Sequence, residues 1–324
     1  MQARGPVKTG VITNPRSRAN RRGFADISAV LARRAGVVHR VLEEFADLPG
    51  VLREFAQAQV GLVAINGGDG TVQATLSELL REPVREPLPL LGVLAGGTTN
   101  AIANDVGGRG RRVAVLARLI EQGRGGVDPA LVTARHVIAL RRAPGEPVRY
   151  GMLFGSAGIS RGIALRRALI PQIWVPDALA NAAVVAGLAL GWSLGLAFAR
   201  RVFEGEPVGV GFDGEQPVRG HHVIVLVTTL QRLVLGMRPF WGTGPGGLQY
   251  TSIAYPPRAL LGNLRRLLYG DRQRRLPAGY LSRNADAISL RLSCPFVLDG
   301  EFYEPAPGQP VELRAGPRVG FLRC

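Results

Sequence analysis

Apolar positions follow two different rhythms along the chain, and the change between them divides it. In the first part, short apolar runs at 7–13, 37–42, 60–65 and 88–94 read as strands, the run at 60–65 as one buried on both faces. Between them, Phe24, Ile27, Val30 and Leu31 recur at helical spacing, as do Leu76, Leu79 and Leu80 after Val72, and 51–58 also reads as helix. Strands alternating with helices predict a parallel, layered α/β domain over residues 1–127. Past 128 the helical runs thin out. Segments 132–141, 150–155, 208–213, 222–230, 249–254, 287–292, 296–299 and 319–322 read as strands separated by turn signals. They predict a mostly antiparallel β-sandwich over 128–324 with helical insertions at 176–203 and 258–269, its C-terminal segment free to pack back on the first domain.

Three predicted strands of the first domain end in polar or glycine-rich loops. They are Asn14-Pro15-Arg16-Ser17-Arg18, Gly67-Gly68-Asp69-Gly70-Thr71 and Gly96-Gly97-Thr98-Thr99-Asn100. In a parallel sheet such loops share one edge, where open α/β folds bind ligands. Glycines let backbone N–H groups close on a phosphate, and a helix N-terminus adds favourable partial charge. Asp69 is the odd member, because a carboxylate repels phosphate unless Mg²⁺ lies between them or it handles a proton. The chain has no Gly-x-x-x-x-Gly-Lys-Ser/Thr loop and no Gly-x-Gly-x-x-Gly opening a helix, which argues against P-loop NTPases and standard Rossmann dehydrogenases.

Charge narrows the partner. The net charge of +16 favours something anionic: membrane, nucleotide or nucleic acid. Lys8 is the only lysine, so a bias toward arginine accounts for part of the composition but not for the basic excess. Aromatic residues make up only 6%, with no stacking motif or reading helix, which disfavours nucleic acid. Cys294 and Cys324 are too few for a disulfide framework, and residues 1–8 lack an apolar signal core. A cytoplasmic protein is expected.

With these loops in view, the sequence resembles the diacylglycerol kinase catalytic-domain family, which includes bacterial lipid kinases and sphingosine and ceramide kinases, with NAD kinases more distant. The resemblance rests on Asn14-Pro15-x-Ser17, Gly67-Gly68-Asp69-Gly70-Thr71, Gly97-Thr98-x-Asn100 with Ala103 and Gly107, and Asp299-Gly300-Glu301. It implies an α/β nucleotide domain joined to a β-sandwich, ATP and Mg²⁺ as cofactors, and a lipid substrate. It further implies that Asn14, Arg16, Ser17, Gly67, Gly68, Asp69, Gly70, Thr71, Val72, Gln73, Gly97, Thr98 and Asn100 bind the nucleotide. Glu301 would be the base on the acceptor hydroxyl, with Asp69 near the Mg²⁺–phosphate centre and Asp299 the third carboxylate. In an extended strand, Asp299 and Glu301 would share a side. The chain departs from the family's pattern at Arg18, Ala95 and Ala101. Segment 242–248 also lacks the two aspartates that often accompany a bound metal, so no metal ligands are named.

Other features have plainer readings. Asp213-Gly214-Glu215 repeats the C-terminal triplet and reads as a hairpin turn. His221 and His222 have no companion ligands, and Cys324 is a terminal thiol. The uncharged run 182–199 approaches the length of a membrane span, but Arg200 and Arg201 follow it and it lies within one domain, which favours a buried or interfacial helix. In 258–275, Leu260, Leu261, Leu264, Leu267 and Leu268 form an apolar stripe among Arg265, Arg266, Arg272, Arg274 and Arg275. That pattern suits either a packed helix with a solvated basic face or peripheral contact with an anionic membrane. The expectation is an ATP-dependent, peripherally membrane-associated lipid kinase acting on diacylglycerol or a sphingoid or ceramide-like lipid. NAD kinase chemistry and a catalytically silent nucleotide- and lipid-binding protein are the alternatives, and a homodimer is compatible with each.

Overall fold

The structure is a computed structural model describing residues 5–32, 34–81, 87–169, 187, 191 and 195–324. It contains two compact units: one of residues 1–137 with 317–324, the other of residues 138–316.

The first unit is a parallel α/β sheet. Its elements are β1 (Lys8–Thr13), α1 (Asn20–Ala32), β2 (Val37–Val41), α2 (Leu48–Gln57), β3 (Val60–Gly67), α3 (Asp69–Leu79), β4 (Leu90–Ala95), α4 (Ala101–Val106) and α5 (Arg112–Gly125). The strands run in the order β4-β3-β1-β2, all parallel. The C-terminal end of the chain adds a further parallel strand, with Phe321 opposite Leu91. Alternate residues of the sheet point to opposite faces, and both faces are covered. On one, Val11, Leu62, Ala64, Leu90 and Leu94 pack against Ile27 of α1 and Leu116, Leu119 and Ile120 of α5, with Leu322 joining them. On the other, Phe55 of α2 lies so close to β1 that a Cβ at Gly10 would come within 2.6 Å of its ring. β3 is therefore apolar almost throughout, and its side chains from Leu62 to Ile65 are buried.

The second unit is mostly antiparallel. It contains the ends of β5 (Val132–Arg141) and β15 (Val311–Leu322), together with β6 (Arg149–Gly151), β7 (Leu153–Ala157), α6 (Gly158–Leu169), α7 (Ala197–Val202), β8 (Glu206–Phe212) and β9 (Val218–Thr228). It continues with β10 (Leu248–Ala254), α8 (Leu260–Tyr269), β11 (Tyr280–Ala285), β12 (Ala287–Leu292), β13 (Phe296–Leu298) and β14 (Glu301–Tyr303). The long β9 organises the unit: its first half pairs with β8, and its second half lies between β7 and β10. Strand alternation sends Val208, Val210 and Phe212 of β8, Val225 and Val227 of β9, and Leu248 and Tyr250 of β10 into one core.

The fold class agrees with the α/β and antiparallel rhythms. The pattern missed α4, α5, α6, β11, β14 and the first part of β15, and it ran β6 and β7 together. Most of the 182–199 run and of the 176–203 insertion lies outside the described residues, where only α7 and a few positions are placed. Among the described residues no helix is long and apolar enough to cross a membrane.

Candidate active site

The three loops at the carboxyl ends of β1, β3 and β4 are tied to one another by backbone. Asn14 N–H donates to the Asn66 carbonyl (3.0 Å), Gly96 N–H to the Gly67 carbonyl (3.0 Å), and Ala19 N–H to the Gly96 carbonyl (3.1 Å). The second and third loops touch through their glycines. A Cβ at Gly68 would sit 3.0 Å from the Gly97 Cα, and one at Gly97 only 2.5 Å from the Gly68 Cα. These glycines are required for close approach rather than for a left-handed backbone.

Asn100 does adopt a left-handed conformation (φ 52°). Its amide closes the third loop, accepting from Gly97 N–H (2.7 Å) and donating to the Gly97 carbonyl (3.0 Å). Asn14 works similarly in the first loop: its Oδ1 accepts from Arg16 N–H (2.9 Å), and its Nδ2 donates to Thr71 Oγ1 (3.0 Å). The amides of Gly68, Asp69, Gly70, Thr98 and Thr99 have no partner among the described residues. They leave donors without acceptors where two loops meet at the N-terminus of α3, which suits an anion.

Asp69 is not free at this edge. Its two oxygens accept from Ala101 N–H (2.9 Å) and Ile102 N–H (3.0 Å), so it caps α4. Burial pushes its pKa up, against the opposing hydrogen bonds from the Ile102, Ala101 and Asn100 amides. A carboxylate has about four lone-pair sites, and with three facing these amides about one remains. No group of three His, Cys, Asp or Glu side chains able to hold a metal occurs among the described residues. The one lone-pair site left on Asp69 fits a cation whose other ligands are phosphate and water.

In the second unit, Asp299 and Gly300 form the two-residue turn between β13 and β14, with φ of 49° and 89°. The Asp299 carboxylate is buried, accepting from Met152 N–H (3.0 Å) and Leu153 N–H (2.9 Å). Its own N–H donates to the Leu153 carbonyl (2.8 Å). Glu301 begins β14, is exposed, and has no partner among the described residues. The expectation that Asp299 and Glu301 share a side is corrected here. The strand has already turned at Asp299, so one carboxylate points into the protein and the other into solvent.

Segment 242–248, the place of the missing aspartates, is packed against β11. A Cβ at Gly242 would lie 2.8 Å from the Arg283 backbone, and Asn284 Nδ2 donates to the Gly244 carbonyl (3.0 Å).

Residues 8–132 match the family model of the diacylglycerol kinase catalytic domain. That match spans nearly all of the first unit. Three solved structures from Bacillus anthracis str. Sterne, two named as candidate diacylglycerol kinases and one as a diacylglycerol kinase, share the fold. The first is 18% identical with a TM-score of 0.63, covering 99% of this chain and 98% of its own. The second is 17% identical with a TM-score of 0.63, covering 100% and 98%. The third is 16% identical with a TM-score of 0.59, covering 99% and 97%. No curated protein matches the chain in sequence.

Behind its loops, the first unit holds a polar cluster that nothing in the apolar pattern marks as a group. Buried Asn20 donates from Nδ2 to the carbonyls of Asn14 (2.7 Å) and Asn66 (2.9 Å). Arg112, at the start of α5, donates to Asn20 Oδ1, to Asn66 Oδ1 (3.2 Å) and to the Ala19 carbonyl (2.8 Å). Burial lowers its pKa, with nearby Asp26 opposing. A signal existed for Asn66, a polar residue closing an otherwise apolar strand. Nothing local marks Arg112, whose partners lie far away in sequence.

Proposed function

We propose that the protein is an ATP-dependent lipid kinase, moving the γ-phosphate of ATP to a hydroxyl of a lipid such as diacylglycerol or a sphingoid base. The observation that carries this reading is the pair of glycine loops in backbone contact, with unpartnered amides at the N-terminus of α3, inside the stretch that matches the diacylglycerol kinase catalytic domain. Such donors suit the phosphates of a nucleotide. Gly67, Gly68, Gly70, Gly97 and Thr98 are proposed to hold these phosphates, while Asn14, Arg16, Ser17, Thr71, Val72, Gln73 and Asn100 shape or contact the nucleotide site.

Phosphoryl transfer needs chiefly positioning and charge stabilisation. Glu301 is proposed as the general base, since its carboxylate is exposed and unpartnered on a turn anchored by Asp299. The acceptor hydroxyl gives its proton to Glu301, and its oxygen bonds to the γ-phosphorus. The bond from that phosphorus to the β–γ bridging oxygen breaks, and ADP leaves. Asp69 ties α3 to the start of α4 and could offer its remaining lone pair to Mg²⁺, which would supply charge neutralisation on the phosphates when bound. The exposed Arg265 and Arg266 of α8 support peripheral contact with an anionic membrane. Arg274 does not belong to that contact: it caps the end of α8, donating to the Arg266 carbonyl (3.0 Å) and the Leu267 carbonyl (2.5 Å).

The test is transfer of label from γ-labelled ATP to a panel of lipids in mixed micelles, resolved by thin-layer chromatography. A labelled lipid is expected. Label on NAD instead would move the protein to NAD kinase chemistry. The glycine segment 242–248 favours one further reading, a nucleotide- and lipid-binding protein without turnover. ATP and liposome binding with no labelled product would establish it.

A further inference from the structure

The outer face of β8 carries a feature that the kinase reading does not use. Along Pro207-Val208-Gly209-Val210-Gly211-Phe212, the inward positions are all large and buried, whereas the outward ones are proline and two glycines. Gly211 has a plain explanation: a Cβ there would meet the Glu215 carbonyl at 2.7 Å, because the following loop folds over it. Gly209 does not. It is buried, and the three atoms nearest a Cβ at Gly209 all belong to the Arg291 side chain, at 3.3 to 3.7 Å, so it is an arginine stem and not a packed core that lies beside it. Neither pairing of β8 has a register shift at this glycine, so it marks no bulge. A strand-interior glycine without a bulge is often a place where something else approaches the backbone.

What flanks Gly209 indicates the kind of ligand. Gly209 is paired with Arg219 of β9 on one side and Arg291 of β12 on the other. Directly paired residues project from the same face, so two exposed arginines stand either side of a strand position that has no side chain of its own, their Cα atoms about 10 Å apart. Neither has a partner among the described residues. The trough between them has a volume of about 400 Å³ and also includes His221 and Ser293, with no carboxylate among the described residues of its lining. The acid at the start of β8, Glu206, is already paired with Arg161.

We infer that this trough binds a phosphate group, held between Arg219 and Arg291 over Gly209. Guanidinium forks match phosphate oxygens in geometry as well as charge. The phosphate could belong to a lipid headgroup or to a soluble ester. The inference does not depend on kinase activity, and its test involves no turnover.

The experiment compares wild type, Arg219→Gln/Arg291→Gln and Gly209→Val. Two probes are used: vesicles of phosphatidylglycerol in phosphatidylcholine, and sn-glycerol 3-phosphate followed by calorimetry. Circular dichroism and thermal melts confirm that each variant is folded. At about five-fold per basic side chain, the double arginine variant should bind anionic vesicles about 25-fold more weakly. Gly209→Val keeps every charge and adds a residue favoured in strands, but fills the trough, so it should weaken binding comparably. Losses on vesicles alone assign the phosphate to a lipid headgroup; losses on glycerol 3-phosphate as well assign it to phosphate esters in general. The inference is overturned if both variants match wild type on both probes. It is equally overturned if the arginine pair matters and Gly209→Val does not, since that describes diffuse surface attraction without a site.

Discussion

Residues 213–215 and 299–301 spell the same triplet and build the same turn, yet they leave their glutamates in opposite conditions. Asp213 and Asp299 both have φ of 49°, followed by glycines at 88° and 89°. Each aspartate reaches across to the backbone of a neighbouring segment: Asp213 Oδ1 accepts from Asp286 and Ala287 N–H, both at 2.9 Å, as Asp299 accepts from Met152 and Leu153. Each also donates its own N–H to the same segment, at 2.9 Å to the Ala287 carbonyl and 2.8 Å to the Leu153 carbonyl. The difference comes two residues after each aspartate. Glu215 is gripped by both Arg283 guanidinium nitrogens at 2.8 and 3.0 Å, while that guanidinium lies 4.7 Å over the Phe212 ring. Glu301 has no such partner. The turn is thus a structural device in both places, and only the second leaves its glutamate available for chemistry.

The sharpest way to break this comparison is to neutralise both glutamates. Glu301→Gln should slow single-turnover transfer to a lipid by about 10²- to 10⁴-fold, the usual loss for a general base. Glu215→Gln should leave the rate within about two-fold and ATP binding unaltered in both. Equal rates for the two variants would return Glu301 to the status of a turn residue and make Asp69 the leading candidate for the base.

Next in size come the aspartates. Asp299→Ala strands two amides in a buried setting and puts alanine in a left-handed position, at a cost of about 3 kcal/mol. Asp213→Ala carries the same left-handed alanine, but Asp213 is exposed and water can replace its carboxylate, so it should cost less, about 1–2 kcal/mol. Urea unfolding measures both. The reverse order would mean that burial does not distinguish the turns. The glycines should show no difference: Gly214→Ala and Gly300→Ala each force a left-handed alanine and should each cost about 1–2 kcal/mol. A gap between these two melts beyond that range would show that the turns are not the same scaffold.

The smallest effect concerns pH. The hydrogen bond from Arg283 is the main cause holding the Glu215 pKa below its ordinary 4.5. A lowered folded pKa adds stability above the unfolded value, and that stability is lost as pH falls through the folded one. Arg283→Gln should therefore flatten the urea midpoint between neutral pH and the acid side of 4.5. An unchanged pH profile would show the ion pair to be energetically silent.

How much of this was legible beforehand varied with the range of the interaction. Apolar rhythm marked most strands of both units, because burial on one or two faces is written in each strand's own residues. The glycine loops were legible as a group, but the reason for their glycines was only half seen. Chemistry at a ligand was the expectation, whereas Gly68 and Gly97 also contact each other, a contact between residues distant in sequence. The same distance hid Arg112, and it hid the amides that occupy Asp69 and Asp299. Identical local sequence at 213–215 and 299–301 could not reveal which glutamate was gripped, since that depends on Arg283, contributed by another strand. β11 escaped because its Tyr280-Leu281-Ser282-Arg283-Asn284-Ala285 is half polar and carries no clean alternation.

The contact between Gly68 and Gly97 bears on how this domain can change over time. Because each Cα occupies the space a Cβ on the other would need, no side chain can be introduced at either position by shrinking its partner; both are already minimal. The pair is a dead end for gradual substitution. Any drift in ligand preference at this edge must come instead from the residues around it, Arg16, Arg18, Thr98 and Thr99 among them, whose side chains can be exchanged without separating the two loops.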